Sequence, residues 1–208
     1  MLTDSRATVS YVPRLTVFPM LTERFEQALV FATRLHANQQ RKSSGTPYLA
    51  HLLAVTAIAL EYGADEETAI AALLHDAVED QGGSRTRAEI AQQFGDRVVT
   101  IVDGCTDTDQ HPKPPWRARK EAYVGRLAHE PAEVRLISAA DKLHNLRDLT
   151  AALRSHGDSV WRDFRGGREG TLWYHQAVLT ALHGRVPAGL WDQLAQAVGE
   201  LKGLAGAD

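Results

Sequence analysis

Residues 66–80 read EETAIAALLHDAVED, and this stretch decides the fold. From Ala69 to Leu74 it is apolar without a polar stripe, so it is too short for a membrane span and reads as a helix buried on all sides. Asp65 stands where an N-cap belongs, and Gly82-Gly83 ends the run. A helix covered on every face needs other helices around it. Hydrophobic spacing of about 3.6 residues recurs on both sides. Thr22 caps a predicted helix through FEQALVFATRLHANQQ, with Phe25, Leu29, Ala32 and His36 on one face. RKSSGTPY interrupts it, and helix resumes over 49–62 with Gly63 as terminator. Further helices are expected at 87–94, 96–105, 117–129, 133–156, 171–182 and 187–204, with TDTDQHPKPPW and GDSVWRDFRGGREG as loops. The expected fold class is all-α: a single helical bundle over residues 21–208 behind a tail at 1–20.

Against that apolar background a few polar residues stand out. His75 and Asp76 end the buried run, and Glu79 and Asp80 follow one turn later. Ionisable groups rarely enter such positions unless paired or bound to a metal. Asp141 interrupts the apolar run RLISAADKLHNLRDL, with Asn145 and Asp148 at successive turns beyond it, and His51 stands alone in TPYLAHLLAVTAIAL. Singly, each has a plainer reading as a core or surface group; jointly they make a set of two imidazoles and two carboxylates. That set suits manganese, iron or zinc rather than calcium. Manganese is the expected ion, held by His51, His75, Asp76 and Asp141. His36, His144, His156 and His183 are read as structural or exposed, and Cys105 as packing.

The bulk numbers restrict the partners. Net charge is −3, which advertises neither nucleic acid nor an acidic membrane. A small anionic substrate stays compatible, because local charge can oppose the global sign. One cysteine rules out an internal disulfide and any thiolate cluster, and suits a reducing cytoplasm. The tail lacks the apolar core of a signal peptide and is expected to lie on the domain or on a partner subunit, so a homo-oligomer is compatible with the sequence.

The order His51, His75-Asp76, Asp141 resembles the HD superfamily of metal-dependent phosphohydrolases. QQRKSSGTPYLAH, AALLHDAVED and AADKLHNLRDL narrow the resemblance to the hydrolase domain of the RelA/SpoT alarmone enzymes, and within these to the small standalone hydrolases. The resemblance implies removal of the 3′-pyrophosphate from guanosine tetra- or pentaphosphate. It further implies that Glu79 and Asp80 are the catalytic acidic pair. Arg41, Lys42 and Ser44 would touch the nucleotide, and Asn145 its sugar. Asp148 stands where the long bacterial enzymes carry threonine, and a carboxylate there is awkward beside a polyphosphate. The residues past Leu182 are too few for the family's synthetase domain, so a hydrolase alone is expected. Two alternatives stay open: an HD phosphohydrolase of another nucleotide, such as the 2′-phosphate of NADPH, and a non-catalytic nucleotide-binding or antitoxin-like protein. The intact pair Glu79-Asp80 argues against the second.

Overall fold

The computed structural model describes residues 20–206 apart from 43, 109 and 111. The tail expected at 1–20 lies, but for Met20, outside the described residues. Among the described residues every regular element is helical, and the sole extended pairing is an isolated bridge between Gln40 and Pro47. In chain order the α-helices are α1 (Glu23–Leu35), α2 (Leu49–Glu61), α3 (Glu66–Leu74), α4 (Ala77–Asp80), α5 (Ser84–Phe94), α6 (Asp96–Cys105), α7 (Trp116–Leu127), α8 (Ala132–His156), α9 (Gly167–Leu182) and α10 (Ala188–Leu204). A 3-10 turn, Gly157–Asp163, follows α8.

The sequence expectation for α3 holds in its main feature. Asp65 caps it, accepting from the Thr68 amide at 2.9 Å, and Thr68 through Leu74 are all buried. α3 packs against α1, α2 and α6, and α8 closes the bundle by packing on α2, α6 and α10. Ile70, Leu73 and Leu74 have no exposed surface. Ile70→Ala is therefore expected to cost about 2–5 kcal/mol, the usual range for truncating a fully buried aliphatic side chain. Chemical denaturation should show this as a lower midpoint at an unchanged slope.

Three expectations need correction, and one of them bears on the site. The stretch 66–80 is not one helix: α3 stops at Leu74 and α4 starts at Ala77. The His75 ring takes the Ala72 carbonyl at 2.8 Å. In a continuous helix that carbonyl would accept from the amide of Asp76. Asp76 accordingly sits at φ −100°, ψ −1°, in the sparsely occupied bridge region. The Asp76-to-Asp80 relation survives the step, because the Asp80 amide still donates to the Asp76 carbonyl at 3.0 Å. Gly82 and Gly83 then turn the chain with φ of +111° and +58°, which glycine adopts without strain.

Second, α1 ends at Leu35 rather than near Gln40, and the described residues of 36–48 form a tied turn. Tyr48 donates its amide to the Gln39 carbonyl at 2.9 Å, and Arg41 its amide to the Thr46 carbonyl at 2.8 Å. Third, the expected linker at 157–170 is partly ordered as the 3-10 turn, which buries Val160 and Trp161, and α9 begins at Gly167. No helix among the described residues is long and apolar enough to cross a membrane.

Candidate metal centre and the cavity beside it

Three pieces of chain meet at one point. α2 supplies His51, the step after α3 supplies His75 and Asp76, and α8 supplies Asp141. His51 Nε2 lies 3.3 Å from Asp141 Oδ1 and 3.6 Å from Asp76 Oδ2; His75 Nε2 lies 3.1 Å from Asp76 Oδ2 and 3.7 Å from Asp141 Oδ1. Ligand atoms of His51, His75 and Asp141 all fall within 4.8 Å of one another. Both Nε2 atoms are buried and make no hydrogen bond, despite two carboxylates beside them. Buried polar atoms are rarely left so. Two nitrogens without hydrogen-bond partners facing two carboxylate oxygens fit one divalent ion with a mixed nitrogen and oxygen set.

The surroundings fix each group. His75 donates through Nδ1 to the Ala72 carbonyl, which turns its Nε2 toward Asp76 and Asp141. His51 Nδ1 lies 2.8 Å from His144 Nδ1, so one ring must donate and the other accept. Burial, with His51 second, pushes His144 down to about 4, so it is neutral at physiological pH and has a lone pair to offer. Tyr48 donates its hydroxyl to Asp76 Oδ2 at 2.5 Å, Asn145 its amide to Asp141 Oδ1 at 2.5 Å, and Lys142 pairs with Asp141 Oδ2. Burial opposes charge on both aspartates. His75 beside Asp76 outweighs it, and Lys142 and His51 do so at Asp141, so both carboxyl groups fall well below the usual range. At His75 burial is likewise overcome, by Asp76 and Asp141, and its pKa rises well above that of free imidazole. The cluster draws positive charge to its centre.

The expected acidic pair lies beside it, on the wall of a cavity of about 690 Å³. Glu79 Oε1 accepts from Lys113 Nζ at 2.8 Å and Oε2 from the Asp107 amide at 3.4 Å. Asp80 Oδ2 accepts from Gln39 Nε2 at 2.9 Å. Burial is the main reason both carboxyl groups titrate above their ordinary values, with Asp107 adding to the effect at Glu79 and Asp76 at Asp80. Among the described residues the cavity is lined by seven basic side chains against four acidic ones. The lining thus carries an excess of basic groups, three of them paired with Asp107 or Asp141, and it suits an anionic ligand.

Of the nucleotide-contacting candidates, Arg41, Lys42, Asn145 and Asp148 line the cavity, whereas Ser44 is exposed, hydrogen-bonds Thr46 at 2.7 Å and is not part of the lining. Arg41 is already engaged: it donates to Asp148 Oδ2 from Nη2 at 2.9 Å and Nε at 3.2 Å, and to Asn145 Oδ1 at 2.8 Å. The carboxylate that looked awkward beside a polyphosphate is therefore offset by an arginine 107 residues away in sequence. Lys42 is exposed and leaves its charge to the cavity.

Sequence reasoning passed over several residues of the site. His144 and His36, read from the sequence as structural or exposed, lie against groups of the candidate site: His144 bonds His51, and His36 bonds Gln39 and stacks on Tyr48. Lys113 and Asp107 lie in the segment read only as a polar loop, and Arg119 and Lys120 converge on Asp107 at 2.6 Å each. Acids followed by bases along TDTDQHPKPPWRARK are the one available signal, and that order does not specify pairing.

Known proteins resemble the chain in the same region. A guanosine-3′,5′-bis(diphosphate) 3′-pyrophosphohydrolase of Danio rerio is 41% identical over 122 residues, 57% of this chain and 65% of that protein. A GTP pyrophosphokinase of Streptomyces coelicolor is 41% identical over 143 residues, 67% of this chain but 16% of its own length. The chain spans only 16–19% of such long bacterial relatives. Among solved structures, one described as a metazoan ortholog of SpoT that hydrolyzes ppGpp and plays a role in starvation responses superposes with a TM-score of 0.71. It is 28% identical, with 86% of this chain and 95% of that chain covered. The HD domain family model matches residues 28–172, which takes in all four metal-ligand candidates and the acidic pair, and the chain belongs to the HD domain family.

Proposed function

We propose that the chain is a guanosine-3′,5′-bis(diphosphate) 3′-pyrophosphohydrolase, which cuts guanosine tetra- or pentaphosphate into GDP or GTP and pyrophosphate. One observation carries this reading: two buried imidazole nitrogens without hydrogen-bond partners share a gap with two carboxylates beside a basic cavity of nucleotide size. The names borne by the Danio rerio relative and the solved SpoT ortholog support the choice of substrate.

A divalent ion held by His51, His75, Asp76 and Asp141, manganese in this reading, would lower the pKa of water toward neutrality and screen the phosphoryl oxygens. The protein's own groups do the rest. Water adds to the phosphorus next to the ribose 3′ oxygen, the bond between them breaks, and the 3′ oxygen takes up a proton. Glu79 and Asp80, with pKa values raised by burial, accept the proton that water loses and return one to the leaving oxygen. Lys113 on Glu79 holds that carboxylate in place. Lys42 offers charge to a phosphate, Asn145 reaches the ribose, and the flat face of Arg41, fixed by Asp148, is available for the base. Burial pushes the Cys105 thiol up, so it stays an inert packing group and fits a reducing cytoplasm.

The purified protein with manganese should convert guanosine tetraphosphate to GDP and pyrophosphate, leave GDP and GTP intact, and show a lower kcat/KM on NADPH. Asp148→Thr removes the charged acceptor of the Arg41 guanidinium and leaves it Asn145 alone. It should raise KM for the tetraphosphate by about tenfold, roughly 1.4 kcal/mol, and change kcat little. A wild type that prefers NADPH would defeat the alarmone reading and leave the metal centre standing.

A further inference from the structure

The turn after α1 brings Gln39 to the cavity, and neither the metal centre nor the nucleotide contacts proposed above use it. Its side chain is bonded at both ends. Nε2 donates to Asp80 Oδ2 at 2.9 Å; Oε1 accepts from Gln81 Nε2 at 2.6 Å and faces His36 Nδ1 at 2.6 Å. These partners permit one orientation of the amide. A flip would set its oxygen against a carboxylate and its NH2 against another NH2. Because Oε1 can only accept, His36 must carry its proton on Nδ1. Burial lowers the His36 pKa and leaves its Nε2 a buried lone pair without a partner. His36 in turn lies flat against Tyr48, ring centroids 5.5 Å apart at 15°, and Tyr48 is tied to Gln39 through the backbone.

We infer that Gln39 is a positioning residue whose amide holds the Asp80 carboxylate in one orientation, with Oδ2 bound to the protein and Oδ1 left free to exchange a proton in the cavity. Among the described residues Oδ1 makes no hydrogen bond; Lys113 Nζ lies 3.9 Å from it. An aspartate at the last position of a four-residue helix, two residues before a double glycine, has little else to fix its side chain. The inference rests on the proposed hydrolase reading for its effect on rate, and on geometry alone for the contact.

Gln39→Met keeps the volume and removes the amide. It should lower kcat for guanosine tetraphosphate about 10- to 100-fold, the usual effect of losing a group that orients a reactive one, with KM within about twofold. If Gln39 acts through Asp80, adding Gln39→Met to Asp80→Asn should slow the enzyme no further. Gln81→Leu, which removes only the outer anchor, should give a smaller drop that also vanishes in the Asp80→Asn background. Independently of turnover, the side-chain carboxyl 13C resonance of Asp80 should shift in Gln39→Met. Effects of Gln39→Met and Asp80→Asn that multiply would overturn the inference. So would a rise in KM at constant kcat, which would make Gln39 a substrate contact, or an unmoved Asp80 resonance. A wild type inactive on the tetraphosphate defeats the function proposed above, and the resonance still decides the contact.

Discussion

Alanine at His75 is expected to leave the purified protein without stoichiometric metal and its hydrolysis at background. The imidazole has two jobs. Nδ1 is bonded to the Ala72 carbonyl, and Nε2 is the buried atom without a hydrogen bond that faces Asp76 and Asp141. Alanine removes both and also takes from Asp76 the neighbour that most favours its charge, so metal content is to be read only on protein shown to be folded. Asp141→Ala is the harsher change. It leaves the Lys142 ammonium, 12% exposed, without its carboxylate, and breaking a buried pair from one side costs about 3–5 kcal/mol. His51→Ala and Asp76→Ala should fall between these, since they release His144 and the Tyr48 hydroxyl respectively. Elemental analysis of folded protein is the measurement, with a chelated and manganese-restored wild type as control. Wild type should recover activity on restoration and His75→Ala should not. Full occupancy in two or more of the four variants would sink the ligand assignment.

How far the site could be read in the sequence depends on the range of the interaction. The burial of α3 was legible because six successive apolar residues leave no face for water, and burial made His75 and Asp76 conspicuous. Asp141 was legible for the same reason within α8. The break between Leu74 and Ala77 was not, because it comes from a side chain competing for a backbone carbonyl, and propensity along AALLHDAVED contains no trace of it. Nor was the pairing of Arg41 with Asp148. Asp148 looked unfavourable beside a polyphosphate while its partner was unknown, and the partner lies on another element. Gln39 and His144 escaped for a related reason. A glutamine near a helix end and a histidine inside one are ordinary residues, and only the fold shows that each touches a group with chemistry. The same fold explains why the turn at 36–48 matters: from one tied segment, Gln39, Arg41 and Tyr48 each engage a different aspartate.

Conversion of Asp80 to asparagine, or of Glu79 to glutamine, is expected to separate chemistry from binding. Neither carboxylate belongs to the set around the buried imidazole nitrogens, so metal content and nucleotide affinity should stay close to wild type. kcat should fall by a factor of roughly 10²–10⁴, the value of a positioned acid–base group, or about 2.7–5.4 kcal/mol of barrier. Asp80→Asn is the cleaner experiment. An asparagine oxygen can still accept from Gln39 Nε2, and its NH2 then occupies the place of Oδ1, so geometry is kept while proton affinity is lost. Glu79→Gln is less conservative, because the Glu79 carboxylate accepts from an ammonium at one oxygen and a backbone amide at the other. A glutamine must turn its NH2 toward one of these donors, which weakens the hold on Lys113 or on the Asp107 amide. Glu79→Gln should therefore lose some stability as well as rate, and Asp80→Asn rate alone. Single-turnover kinetics with metal analysis on the same samples measures both. Near wild-type rates in both variants would move proton handling to another group, and Lys113, bonded to Glu79 and within 3.9 Å of Asp80, would be the first to test.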